Sequence, residues 1–285
     1  MKQIKILLLL VVIASFLPLL AHAQNTILAK DLTNCLKQKN TVLISLQKAS
    51  DYNEGHIDNA INFKHSSLYN KMAMLLPNDT VANILGANGI SSDAKIILYD
   101  NANTKLTGRM YWVLTYMGAK KVSILSGGYK AWLKAEMPIT TARTVATPTI
   151  FTPHANAGYL ATMQMVNKAI GNKDYVIIDA RSDAEFEGTD ETSLKPGHIP
   201  SAIHLNYTAM LNPNGELKSA KELKTIFKEA GVAKDKTIIL YCRSSVRAGI
   251  EFYALNKVLK FPQVKVYDGA FIEWQSNDAN EIEKK

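Results

Sequence analysis

The chain has 285 residues, two cysteines, six histidines and a formal charge of +8. That length suits one large domain or two average ones. Two cysteines exclude a disulfide scaffold and a four-cysteine zinc site, leaving room for one disulfide at most, Cys35–Cys242. The basic surplus is spread thinly, without a dense Lys/Arg run or interleaved aromatics, which argues against a nucleic-acid partner. It does suit a small anionic substrate. The histidines show no H-E-x-x-H spacing, so neither a metal nor another cofactor is expected.

In chain order, residues 1–23 read as a secretory signal peptide. Lys2 and Lys5 open it, a run of 15 mostly apolar residues spans 6–20, and Ala21-His22-Ala23 supplies a small-x-small cleavage site. The run is too short for a spanning helix, which needs roughly 20 residues, and Pro18 weakens it further. The expected product is exported, periplasmic or secreted, with no membrane span after cleavage and a charge of +6 once Lys2 and Lys5 are gone. Short apolar strands follow at 42–46, 95–99 and 122–125, with a helix over 107–117. Residues 140–157, rich in Thr, Ala and Pro, read as a linker. Strands then return at 175–179, 237–241 and 264–267, with helices over 219–230, stopped by Gly231, and 249–259. Such alternation predicts α/β units with a parallel sheet covered on both faces.

The chain repeats itself. Gly55-His56-Ile57 returns as Gly197-His198-Ile199, residues 96–100 return as 238–242, and Val122, Gly127 and Trp132 return as Val264, Gly269 and Trp274. Every pair is offset by 142 residues, so the chain is two copies of one domain. The division is a signal peptide over 1–23, a first domain over 24–140, a linker over 141–157 and a second domain over 158–285.

In parallel α/β domains the site lies beyond the carboxyl ends of the strands. The residue there is Cys242 in the second copy and Asp100 in the first. Cys242 is followed by Arg243, Ser244, Ser245, Val246 and Arg247, then by a helical run. Backbone N–H groups and a helix N-terminus converge on such a position, and two arginines add positive charge, which together favour a nucleophilic thiolate. A loop of successive N–H groups can also cradle an anion. A structural cysteine is the alternative, made less attractive by the flanking arginines.

These features resemble the two-domain sulfurtransferases of the rhodanese family over nearly all of the mature chain. The residues that carry the likeness are the two Gly-His-Ile motifs, Asp179-Ala180-Arg181, the loop from Cys242 to Arg247, and residues 267–274. The resemblance implies two tandem domains, each a parallel five-stranded sheet with helices on both faces, the first inactive and the second catalytic. It implies double displacement: Cys242 takes sulfane sulfur from a small anionic donor, becomes a persulfide held by the loop 243–247, and passes the sulfur to cyanide or a thiol acceptor. Arg181, Arg243 and Arg247 are the implied donor-binding residues, and Gln47 stands at the place of Arg181 in the first copy.

Arg243 sides with the thiosulfate enzymes of the family, whose pattern is Cys-Arg-x-Gly, against the Cys-Gly-x-Gly of the mercaptopyruvate enzymes. Ser245 replaces the glycine of both patterns, and Ser244 replaces a lysine common in thiosulfate enzymes. Ser244 and His56 could furnish part of a mercaptopyruvate-type triad, but Ser45 stands where its aspartate belongs. Thiosulfate is the expected donor, 3-mercaptopyruvate the alternative, and a non-catalytic persulfide carrier the reading outside enzymes. Phosphatases of the Cys-x5-Arg type are excluded, because the arginine falls one residue earlier here. His56 and His198 are expected to shape turns, Trp132 and Trp274 to pack, and Cys35 to be a small core side chain.

Overall fold

β-Branched and apolar runs build two parallel sheets. The computed structural model describes residues 26–101, 104–190 and 195–284, and the expected signal peptide lies outside them. The first sheet uses β1 (Thr41–Ser45), β2 (Ile61–Asn62), β3 (Lys95–Tyr99) and β4 (Lys121–Ile124) in the order β2-β1-β3-β4. The second uses β5 (Leu160–Ala161), β6 (Tyr175–Asp179), β7 (Ile203–His204), β8 (Thr237–Tyr241) and β9 (Val264–Tyr267) in the order β5-β9-β8-β6-β7. The expectation of five strands per copy holds for the second sheet. In the first, the fifth strand shrinks to a single parallel bridge between Ile27 and Leu125. Among the described residues no helix is long and apolar enough to cross a membrane.

The copies match contact by contact. Ser45 faces Tyr99 across β1 and β3, and Asp179 faces Tyr241 across β6 and β8. Tyr99 Oη accepts the Ile57 N–H and Tyr241 Oη accepts the Ile199 N–H, each tying a central strand to its Gly-His-Ile turn. His56 stacks on Tyr52 and His198 on Phe186, each ring bonding through Nδ1 to the carbonyl of the residue it stacks on. Both histidines therefore shape turns. Trp132 and Trp274 are buried, with Nε1 donating to Pro138 O and Glu281 O.

The linker is not a free tether. Thr149 N donates to Gly86 O, His154 N to Met117 O and Asn156 N to Tyr116 O, and Phe151 is buried. The domains meet where the helix Lys105–Tyr116 crosses the helix Ala248–Phe252, which runs on into a wider turn over Tyr253–Val258. Gly108 and Gly249 allow the crossing: a Cβ on either would collide with the other helix's backbone. Tyr111 seats edge-on against Tyr253, and one continuous hydrophobic cluster runs through both domains.

Candidate active site

Cys242 follows directly on β8, the middle strand of the second sheet, and is 1% exposed. The loop after it is held from one side. Phe271 N donates to Cys242 O at 3.0 Å, Ile272 N donates to Arg243 O at 3.1 Å, and Ser245 Oγ donates to Tyr267 O. With these carbonyls drawn outward, no backbone carbonyl among the described residues takes up the N–H groups of Arg243 to Arg247. They are left available as anion donors in the loop that follows the cysteine. Ser245 takes a positive φ of 56°, which explains why a glycine suits this position.

Arg247 is pinned by Glu185, with Nη1 and Nη2 donating to the two carboxylate oxygens at 2.5 and 2.7 Å. Burial works against its charge, yet the Glu185 hydrogen bonds and the adjacent Cys242 sulfur push its pKa upward. Glu185 is prepared for this by a capping box on the helix Asp183–Glu187, where Ser182 Oγ accepts the Glu185 N–H. Burial tends to raise its carboxyl, but the bonds from Arg247 and Ser182 outweigh that and hold it at about 2. Arg243 is exposed at the rim, while Ser244 and Val246 are half-buried.

Arg181 is committed within its own domain and is 2% exposed. Nε and Nη2 donate to Asp179, Nη2 also donates to Gly197 O at 2.7 Å, and the guanidinium lies 4.0 Å from the Phe271 ring centroid. The first copy shows what this is for. There Ser45 Oγ donates to Gln47 Oε1, and Gln47 Nε2 donates to Gly55 O. Both pairs brace a strand end to a glycine turn, one charged and one neutral. Arg181, expected as a donor clamp, is held in this geometry as a brace between Asp179 and Gly197, and Gln47 makes the neutral equivalent in the first copy.

Two acids near the thiol escape sequence reasoning. Glu185 is legible only as part of a Ser-x-x-Glu cap. Glu251 is fully buried, and neither of its oxygens has a hydrogen-bond partner among the described residues. Burial first, then the nearby Cys242 and Asp179, push its pKa well upward. Both cysteines are free: Cys35 packs in the first domain's lower cluster, far in the fold from β8, so the conceivable disulfide does not form.

The rhodanese-like domain profile matches twice, over residues 28–135 and 162–277. The chain is 30% identical over 263 residues to the thiosulfate sulfurtransferase of Azotobacter vinelandii, covering 89% of this chain and 94% of that protein. It is 35% identical over 233 residues to the 3-mercaptopyruvate sulfurtransferase of Escherichia coli, covering 79% and 82%. It is 29% identical over 238 residues to the sulfur carrier protein TtuD of Thermus thermophilus, covering 78% and 83%. In fold it matches the anaerobic ergothioneine biosynthesis enzyme from Chlorobium limicola, with a TM-score of 0.84 at 19% identity over 91% of this chain and 70% of that one. Two domain matches, the doubled fold and relatives of this kind leave one conclusion: the chain belongs to the rhodanese family, as a tandem rhodanese-type sulfurtransferase.

Proposed function

We propose that the protein moves sulfane sulfur from thiosulfate to cyanide or a thiol through a persulfide on Cys242. The Cys242 thiolate attacks the outer sulfur, the S–S bond of thiosulfate breaks, and sulfite leaves with the electron pair. The acceptor then attacks the outer sulfur of the persulfide and the thiolate is restored. No net proton or redox equivalent is required.

The observation that carries this reading is a single thiol at a strand end, followed by a loop whose N–H groups no described backbone carbonyl takes up and by Arg247 held in a bidentate pair. Arg243 at the rim supports a compact dianion as donor. 3-Mercaptopyruvate is the second reading, favoured by the relative at 35% identity. Export through the signal peptide belongs to the same proposal, since residues 1–23 have the three parts of a cleaved leader.

Intact-mass measurement after thiosulfate treatment is expected to show one added sulfur on wild type and on Cys35→Ser, and none on Cys242→Ser. A gain on Cys242→Ser overturns the assignment. A cyanide assay with both donors separates the two substrates. Loading without turnover on either would make the protein a carrier.

A further inference from the structure

We infer that Arg109, which belongs to the copy without the cysteine, is a positioning residue for the Cys242 loop and acts through Asp268. The inference rests on the reading of Cys242 as the sulfur acceptor. Arg109 leaves the middle of the helix Lys105–Tyr116 and is 1% exposed. Its Nη2 donates to Asp268 Oδ1 at 2.5 Å and to Ala73 O at 3.4 Å. Tyr69 and Trp112 wall it in, with ring centroids 4.9 and 4.5 Å from the guanidinium carbon. The other Asp268 oxygen accepts the Leu75 N–H at 2.8 Å. Both oxygens of one second-domain carboxylate are therefore held by the first domain.

Asp268 sits in the segment that shapes the active loop. Immediately before it, Tyr267 O takes the Ser245 hydroxyl; just after it, Phe271 N and Ile272 N hold the carbonyls of Cys242 and Arg243. A shift of Asp268 moves these contacts together, and with them the N–H groups around the sulfur. The first copy contains the same inner scaffold, with Tyr129 N on Asp100 O and Lys130 N on Asn101 O.

Symmetry separates positioning from simple adhesion. The 142-residue offset maps Cys242 onto Asp100, Asp268 onto Ser126, and Arg109 onto Glu251. A serine and a glutamate offer no pair of opposite charges, so the side of the interface bordering Asp100 lacks the latch. Its cross-domain contact is a neutral bond, from Thr104 Oγ1 to Gly215 O at 3.0 Å. Were the charge pair needed only to join the domains, either side would serve. It stands on the side of the cysteine. A buried ion pair is also a poor source of net stability, because desolvation offsets much of the attraction. Its directional bonds are what it adds.

The test uses the full-length chain and four variants: Arg109→Met, Arg109→Lys, Asp268→Asn and, on the mirror side, Thr104→Val. Sulfur loading of Cys242 from thiosulfate is followed by intact mass, and turnover by kcat and KM. Arg109→Met and Asp268→Asn are expected to slow loading and lower kcat by roughly tenfold or more with KM within about threefold, as loss of alignment predicts. Arg109→Lys recovers most of the loss, and Thr104→Val stays within about twofold. Folded variants that load at the wild-type rate overturn the inference, as does an equal loss in Thr104→Val. If Arg109→Met does not fold, the isosteric Asp268→Asn decides by the same criteria. If wild type itself takes up no sulfur, the functional reading has failed. Alkylation of Cys242 by iodoacetamide then judges the latch: a rate altered about tenfold in the variants supports it, and an unaltered rate sinks it.

Discussion

At the end of β3 a carboxylate occupies the place of the thiol, and it is almost fully buried. Asp100 Oδ1 accepts the Thr104 N–H at 3.2 Å, so the first copy's loop closes on an anion of its own. A carboxylate oxygen lies as many bonds from the backbone as the outer sulfur of a cysteine persulfide, which makes Asp100 a permanent occupant of the cradle. Burial pushes its pKa up to about 6 against the N–H bonds from Thr104, Thr107 and Leu106. The folded chain thus binds this proton more tightly than the unfolded chain, whose aspartate titrates at its ordinary 3.8. The sign follows: the contribution to stability is complete below that ordinary value and is lost as pH rises through 6. Asp100→Asn removes the titration and keeps the acceptor oxygen. Urea unfolding at pH 5 and pH 8 is expected to show the variant gaining on wild type at the higher pH, by about 1.4 kcal/mol, since only the last pKa unit of the shift lies above pH 5. Parallel behaviour at both values would mean the carboxylate is hydrated.

Among the elements, the brace at the end of β6 makes a second prediction. Arg181→Gln leaves Asp179 buried without its cation, and removal of one member of such a pair costs about 3–5 kcal/mol. Adding Asp179→Ser recreates the Ser45–Gln47 pair of the first copy and is expected to recover most of that loss in urea titrations. The KM for thiosulfate is expected to stay within about twofold in both proteins. A tenfold rise in KM with unchanged stability would return Arg181 to donor binding. Much of this architecture was legible in the chain. The common offset revealed the doubling, and the apolar runs found the central strands to within a residue. Cys242 stood out because the repeat put Asp100 in register with it. Arg181 shows its charge in the sequence but not its partner: two residues away, Asp179 claims it. Arg109 stayed hidden for a related reason. It sits among Met110, Tyr111, Trp112 and Val113, a charge inside an apolar run, and its partner lies 159 residues on in the other domain. Glu251 was equally silent, although the offset that aligns it with Arg109 could have marked both.

For the molecule as a whole, the glycine crossing and the shared hydrophobic cluster make two domains one cooperative body. Gly249→Ala tests this, since its methyl group would meet the backbone of Gly108 and Arg109, which cannot yield as a side chain can. Overpacking of this kind costs about 1–3 kcal/mol, which corresponds to a midpoint lower by roughly 2–12 °C for a chain of this size. Calorimetry is expected to show one transition for wild type and an earlier, broadened or divided one for Gly249→Ala. An unchanged single transition would show that the helices can part without consequence.

The placement of the two thiols bears on the fate of captured sulfur. Cys242 lies buried just past the carboxyl end of its strand, while Cys35 belongs to the other domain's lower core. No second thiol of the chain stands beside the loop to resolve a persulfide into an internal disulfide, the route by which paired cysteines discharge one another. Under the proposed chemistry, sulfur loaded on Cys242 would therefore depart only to a molecule that arrives from outside. The lifetime of a loaded protein would then be set by encounter: with an acceptor it turns over, and without one it is a store.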